Sequence, residues 1–169
     1  MDHVYLIAED EPHAQLLLQR AFQRAGLDFP LYFTSNGKDT LDYLRGAGRY
    51  ANSAEFPFPS ILLLDYNMPR MNGLQVLRAI RAEPPLRKLI VVMLSSSVDE
   101  SEILEAFEAG VNSYVEKPSE FGELIHVAIC LNAYWFGCNH FPHATSGIVR
   151  PQKRHREVVP HRDIVPHRD

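Results

Sequence analysis

Short β-type segments and helical patterns alternate five times along the first 137 residues, and no other feature of the chain restricts its fold so far. Val4–Ala8, Leu31–Thr34, Ile61–Leu64, Leu89–Leu94 and Ser113–Val115 are rich in β-branched, aromatic and aliphatic residues and read as strands. Residues 13–25, 38–46, 73–82, 100–109 and 120–135 repeat apolar positions at helical spacing, with Leu17, Ala21, Phe22 and Ala25 on one face of the first. Strict alternation predicts an α/β domain: an open, doubly wound parallel sheet whose right-handed crossovers are the helices. The third and fourth segments are apolar at every residue, as strands covered on both faces are. Gly26, Gly110 and Gly137 each follow a helical pattern, where a left-handed C-cap residue is expected.

Residues 47–59 carry Gly, Ser and Pro without periodicity and read as a long loop with two aromatic anchors. Periodicity ends at Gly137. Beyond it Val-Pro-His-Arg-Asp occurs twice, at 159–163 and 165–169, with prolines that forbid a regular helix. Charge divides at the same point: residues 1–137 hold 11 Lys/Arg against 18 Asp/Glu, and residues 138–169 hold 6 against 3. The expected organisation is a single acidic domain, 1–137, followed by a disordered basic tail, 138–169. A chain of 169 residues leaves no room for a second full domain.

Several classes are excluded on the same grounds. No apolar run approaches the roughly 20 residues that span a bilayer, so no membrane insertion is expected. Asp2, Glu9, Asp10 and Glu11 stand where a secretory signal needs basic and apolar residues, which points to a cytoplasmic protein. Cys130 and Cys138 are too few for a disulfide framework and form no Cys-x-x-Cys pair.

In a parallel α/β sheet the ligand crevice lies beyond the carboxyl ends of the strands. Here the first strand ends in Glu9-Asp10-Glu11, the third in Asp65, the fourth in Ser95-Ser96-Ser97 and the fifth in Lys117-Pro118. Glu9, Asp10 and Asp65 in one crevice would raise one another's pKa unless a cation neutralised them, and a hard divalent ion such as Mg²⁺ suits carboxylates. An aspartate beside Mg²⁺, a lysine and a hydroxyl is arranged to accept a phosphoryl group.

Four motifs, Ala8-Glu9-Asp10-Glu11, Leu64-Asp65-Tyr66-Asn67-Met68-Pro69-Arg70-Met71-Asn72-Gly73, Leu94-Ser95-Ser96 and Tyr114-Val115-Glu116-Lys117-Pro118, occur in this order. Over residues 3–135 the chain resembles the receiver domain of bacterial two-component response regulators. The resemblance implies a flavodoxin-like strand order 2-1-3-4-5, with Asp65 as phosphoacceptor and Glu9 and Asp10 as the acidic pair organising Mg²⁺. It implies Asn67 as a metal ligand through its backbone carbonyl, Lys117 on the phosphoryl oxygen with Lys117–Pro118 cis, and a switch made of Ser95 and Tyr114. Ser95 stands where threonine is usual, and Tyr66 where a small or aliphatic residue is frequent. The loop at 47–59, the aromatic end of the last helix and the absence of an output domain make the chain similar to single-domain regulators paired with bacterial phytochromes. The implied function is a signalling switch, not a turnover enzyme, phosphorylated by a sensor histidine kinase and acting through protein contacts.

Other readings compete at particular residues. A phosphohydrolase with an Asp nucleophile would carry a second Asp two positions on, where Asn67 stands. A phosphorylation-independent adaptor is the remaining alternative, and FMN would be repelled by Glu9-Asp10-Glu11. Glu11 is read as a helix-start carboxylate outside the site. Ser97 or Asp99 is expected to cap the fourth helix, His13 to be a surface residue and His126 a packed or surface one. Cys138, His140 and His143 could contribute to a zinc site, but they are three groups on an irregular stretch with no second pair, which argues against one. The mixed-charge tail is not expected to bind nucleic acid. Tyr134-Trp135-Phe136 either closes the core or forms an exposed patch, and in the second case a two-fold homodimer is expected.

Overall fold

The computed structural model describes residues 4–141. The Val-Pro-His-Arg-Asp repeats, His143 and the rest of the expected disordered tail beyond Phe141 lie outside the described residues. Five strands, β1 (Tyr5–Ala8), β2 (Leu31–Thr34), β3 (Ile61–Asp65), β4 (Ile90–Ser95) and β5 (Ser113–Glu116), form one sheet in the order β2-β1-β3-β4-β5. All four pairings are parallel. The helices are α1 (Pro12–Arg24), α2 (Gly37–Arg45), α3 (Gly73–Ala82), α4 (Glu100–Glu108) and α5 (Phe121–Asn132). The fold is the flavodoxin-like one expected.

Strand residues alternate between two apolar layers because successive side chains point to opposite faces. Leu6, Leu62, Leu64, Val91 and Met93 meet Leu44, Leu77 and Ile80 of α2 and α3 on one face. Tyr5, Ile7, Leu63, Val92 and Leu94 meet Phe22 of α1 and Leu124 and Leu131 of α5 on the other. The register sets Ala8 beside Leu64, Asp65 beside Leu94 and Ser95 beside Glu116, so β1, β3, β4 and β5 end at one edge.

Helix ends differ from expectation in two places. Gly26 and Gly110 have positive φ, 72° and 89°, as C-cap positions require, and Gly46, expected inside the second helix, is instead its left-handed cap at φ 63°. Gly137 is not among the positive-φ glycines, because the helix does not stop there. A π-helical turn, Ala133–Cys138, continues α5 and resolves the aromatic triplet residue by residue. Trp135 is buried, and Phe136 lies edge-on to Tyr5 with ring centroids 5.2 Å apart, while Tyr134 is 57% exposed. Packing runs past Gly137, since Phe141 stacks on Phe136 at 5.5 Å. Together α5 and this turn make an apolar helix of 18 residues, long enough by length and composition to cross a membrane; its inner side is occupied by the sheet.

The loop at 47–59 contains a 3-10 turn, Gly48–Ala51, and holds three aromatic side chains instead of two against the core: Tyr50, Phe56 and Phe58. The Tyr43 hydroxyl donates to the Pro57 carbonyl at 2.9 Å and pins the loop to α2.

Candidate functional site

The edge where the strands end gathers the residues singled out from sequence. Glu9 follows β1 and is fixed from both sides along its backbone. Its N–H donates to the Thr34 carbonyl of β2 at 3.0 Å, and its carbonyl accepts from Gln15 Nε2 of α1 at 2.6 Å. Its side chain is 3% exposed, pairs with the Lys117 ammonium, and accepts from the Glu11 N–H at 3.2 Å. Asp65 ends β3, is 9% exposed, and lies 3.5 Å from Lys117 Nζ through Oδ2. Its other oxygen accepts from the Asn67 N–H at 3.2 Å, the start of the turn into α3. Asp10 completes the cluster: one carboxylate oxygen each from Glu9, Asp10 and Asp65 lies within 4.8 Å of the others. Glu11 is exposed and outside that cluster.

Burial raises the Asp65 pKa above the ordinary carboxylate range; Lys117 and the Asn67 N–H pull it back and Asp10 pushes it up further. Glu9 is raised by burial as well, against the hydrogen bond and charge of Lys117. Burial works against the Lys117 ammonium, but Glu9 and Asp65 outweigh it and hold its pKa above the usual lysine value. One cation therefore faces three carboxylates in a crevice that excludes much of the water. The donor set is all oxygen, and its excess negative charge fits a hard divalent cation.

Ser95 ends β4 fully buried, and its Oγ accepts from the Ser97 N–H at 3.1 Å. The Tyr114 hydroxyl donates to the Ser97 carbonyl at 3.0 Å, which ties β5 to the turn between β4 and α4. Asp99, not Ser97, caps α4, accepting from the Ser101 N–H at 2.8 Å. His13 and His126 are exposed.

Lys117–Pro118 is trans, a correction to the cis bond implied by resemblance: no peptide bond among the described residues is cis. Trans is the intrinsically preferred isomer of an X–Pro bond, by about 0.5–1 kcal/mol. Lys117 reaches Glu9 and Asp65 from it, with its own N–H on the Ser95 carbonyl at 2.7 Å.

Two residues to which the sequence assigned no role shape the site. Gln15 buttresses Glu9 and bonds Ser35 at 3.2 Å. Gly73 opens α3 with its N–H on the Tyr66 carbonyl at 2.9 Å. A Cβ there would overlap the Asp65 carbonyl oxygen and lie 3.0 Å from Tyr66 Cα. Only the absence of a side chain lets α3 begin so close beneath the acidic cluster.

Residues 5–129 match the family described as the response regulator receiver domain. The chain belongs to this family. Its relatives include the probable methanogenesis regulatory protein FilR2 of Methanothrix harundinacea, 34% identical over 82% of this chain and 87% of that protein. Another is the response regulator Rcp1 of Synechocystis, 29% identical over 83% of this chain and 94% of that one. Among solved structures, a response regulator in red light signalling of R. palustris is similar with a TM-score of 0.79 and 36% identity, covering 83% of this receiver chain and 98% of that one. The phosphorylated cyanobacterial phytochrome response regulator RcpA follows with a TM-score of 0.77 and 27% identity over 84% and 99%. The Mn²⁺-bound form of Rcp1 has a TM-score of 0.73 and 28% identity over 83% and 99%. These relatives are of the single-receiver type. Family and fold together make this chain a phosphoryl-accepting signalling module and do not favour the hydrolase or adaptor readings.

Proposed function

We propose that Asp65 accepts a phosphoryl group from the phosphohistidine of a sensor histidine kinase and that the phosphorylated chain signals through protein contacts. The observation that carries this is the convergence of Asp65 with Glu9, Asp10 and Lys117 at one sheet edge. A carboxylate oxygen of Asp65 attacks phosphorus; the P–N bond breaks as the P–O bond forms, and the imidazole takes up a proton as it departs. Lys117 is placed to leave its pairing with the carboxylates and offset charge on the phosphoryl oxygens. Glu9, Asp10, Asp65 and the backbone carbonyl of Asn67 would hold Mg²⁺, which when bound supplies the remaining positive charge. The close carboxylates support this set, as does a relative crystallised in a Mn²⁺-bound form. Ser95 and Tyr114 form the switch: the Tyr114 bond to the Ser97 carbonyl is one a shift of the β4–α4 turn would break.

Self-phosphorylation by a small donor and slow self-dephosphorylation are the only chemistry in this reading. The kinase is of phytochrome type, by analogy with the red-light and phytochrome regulators among the relatives. The chain works in the cytoplasm without nucleic acid or membrane, as a receiver domain drawn at 1–137 with a basic tail at 138–169. It forms a homodimer through β5 and α5, where exposed Tyr134 lines a cavity with Ser113 and Val115 of the edge strand. Tyr134→Ala is expected to shift sedimentation toward monomer; an unchanged profile, or a wild-type monomer, removes that interface.

The deciding experiment is incubation with acetyl phosphate and Mg²⁺ followed by intact mass. Wild type gains one phosphoryl group and Asp65→Asn none; a labelled Asp65→Asn protein overturns the assignment.

A further inference from the structure

We infer that the basic C-terminal segment, residues 142–169, docks on the outer face of α4 of the same chain. Of the nine residues of α4 only Ala106 is buried. Leu104 and Phe107 are 59% and 52% exposed and, three residues apart, are neighbours on the helix surface. Glu100, Glu105 and Glu108 are exposed around them, and the helix carries no Lys or Arg. Arg78 reaches Glu105 only at 3.8 Å with both side chains more than half exposed, a pairing worth little in water. The face is therefore an apolar centre inside an acidic ring.

The segment beyond Phe141 has the opposite composition. It contains Arg150, Lys153, Arg154, Arg156, Arg162 and Arg168 against Glu157, Asp163 and Asp169. Its β-branched pairs Ile148–Val149, Val158–Val159 and Ile164–Val165 each have an arginine within three positions. Apolar side chains matched to Leu104 and Phe107 thus alternate with cations matched to the glutamates. Reach is no obstacle: 28 residues extend up to about 90 Å, against a radius of gyration of about 14 Å for a domain of this size. Tethering also presents the segment to α4 at an effective concentration of order millimolar, enough for contacts that would be too weak between separate molecules. A docked tail covers the face from outside partners, so any partner of α4 must displace it.

Hydrogen exchange of the full-length protein, read on peptides covering 98–109, tests this. Arg162→Glu/Arg168→Glu should speed exchange there at least threefold at low salt, Glu100→Lys/Glu108→Lys should do the same, and combining the two should restore wild-type protection. Tryptophan fluorescence of Trp135 monitors folding of each variant. Exchange unaffected by tail reversal, or no restoration in the combined variant, overturns the proposal. Protection that grows with protein concentration assigns the face to the tail of a second copy and overturns docking within one chain.

Discussion

Asp65 and Glu9 are carboxylates in a place that favours neutral carboxyl groups, and this has a consequence for stability. Both pKa values lie above the ordinary ones because of burial. As pH rises from the ordinary carboxylate range, about 4, through the raised values, the folded state holds protons the unfolded chain has lost, so stability falls. In EDTA, Asp65→Asn is expected to gain about 1 kcal/mol, a few degrees of melting temperature, and to flatten that pH dependence. A melting temperature equal to or below wild type at pH 7 would mean that Lys117 fully compensates the charge. Gly73→Ala should act in the other direction: relieving its overlap with Asp65 costs about 1–3 kcal/mol and displaces the acceptor, so acetyl phosphate labelling should drop with stability. The acidic cluster, Ser95 and Lys117 were legible because strand ends can be placed from composition and a parallel sheet sends them all to one edge. Gln15 was not, since its side-chain bond to the Glu9 carbonyl exists only once α1 packs beside β1, and Gly73 stood in the Asp65 motif without a role because its role depends on how closely two backbones approach.

Elements were easier to find than to terminate. All five strands and helices lie where the sequence pattern puts them, because a sheet covered on both faces demands strands apolar along their length and each covering helix an apolar stripe. The ends are decided elsewhere. Gly46 stops α2 with its N–H on the Tyr43 carbonyl at 3.1 Å, whereas Gly137 sits in a helix carried onward by aromatic packing of Trp135 and Phe136. Arg81 shows the same dependence on tertiary partners: Nε donates to the Gly110 carbonyl at 2.8 Å, and the two terminal nitrogens to Leu89 O at 2.9 Å and Asn112 Oδ1 at 2.8 Å. It stitches α3 to the start of β4 and the loop before β5 through backbone and amide oxygens, and burial lowers its pKa. The π-helical turn yields a prediction at this scale. Trp135 is 7% exposed beneath α5, so Trp135→Ala should cost about 3–5 kcal/mol in urea unfolding. A loss under 1 kcal/mol would show that the turn collapses onto the gap, or that the tryptophan is not a core residue at all.

At the scale of the molecule, alternation dictates a parallel sheet but not its full strand order, because the pattern along a strand does not record which neighbours it takes; the order 2-1-3-4-5 came from resemblance. That order places β1 and β3 side by side, which alone brings Glu9 and Asp10 to Asp65. Cation binding at this junction should therefore be felt by the whole sheet. A ligand that binds only the folded state stabilises it by RT ln(1 + [L]/Kd), about 2.7 kcal/mol at one hundred times Kd. The melting temperature of wild type should climb with the logarithm of Mg²⁺ concentration once the site begins to fill. Glu9→Gln/Asp10→Asn should melt higher than wild type without metal, since like charges are gone, yet gain nothing from Mg²⁺ beyond what matched ionic strength gives. The two effects have opposite signs in one protein, so general destabilisation cannot imitate them. A variant that still gains the full Mg²⁺ increment would place the cation elsewhere and leave the acidic cluster as electrostatic strain relieved only by Lys117.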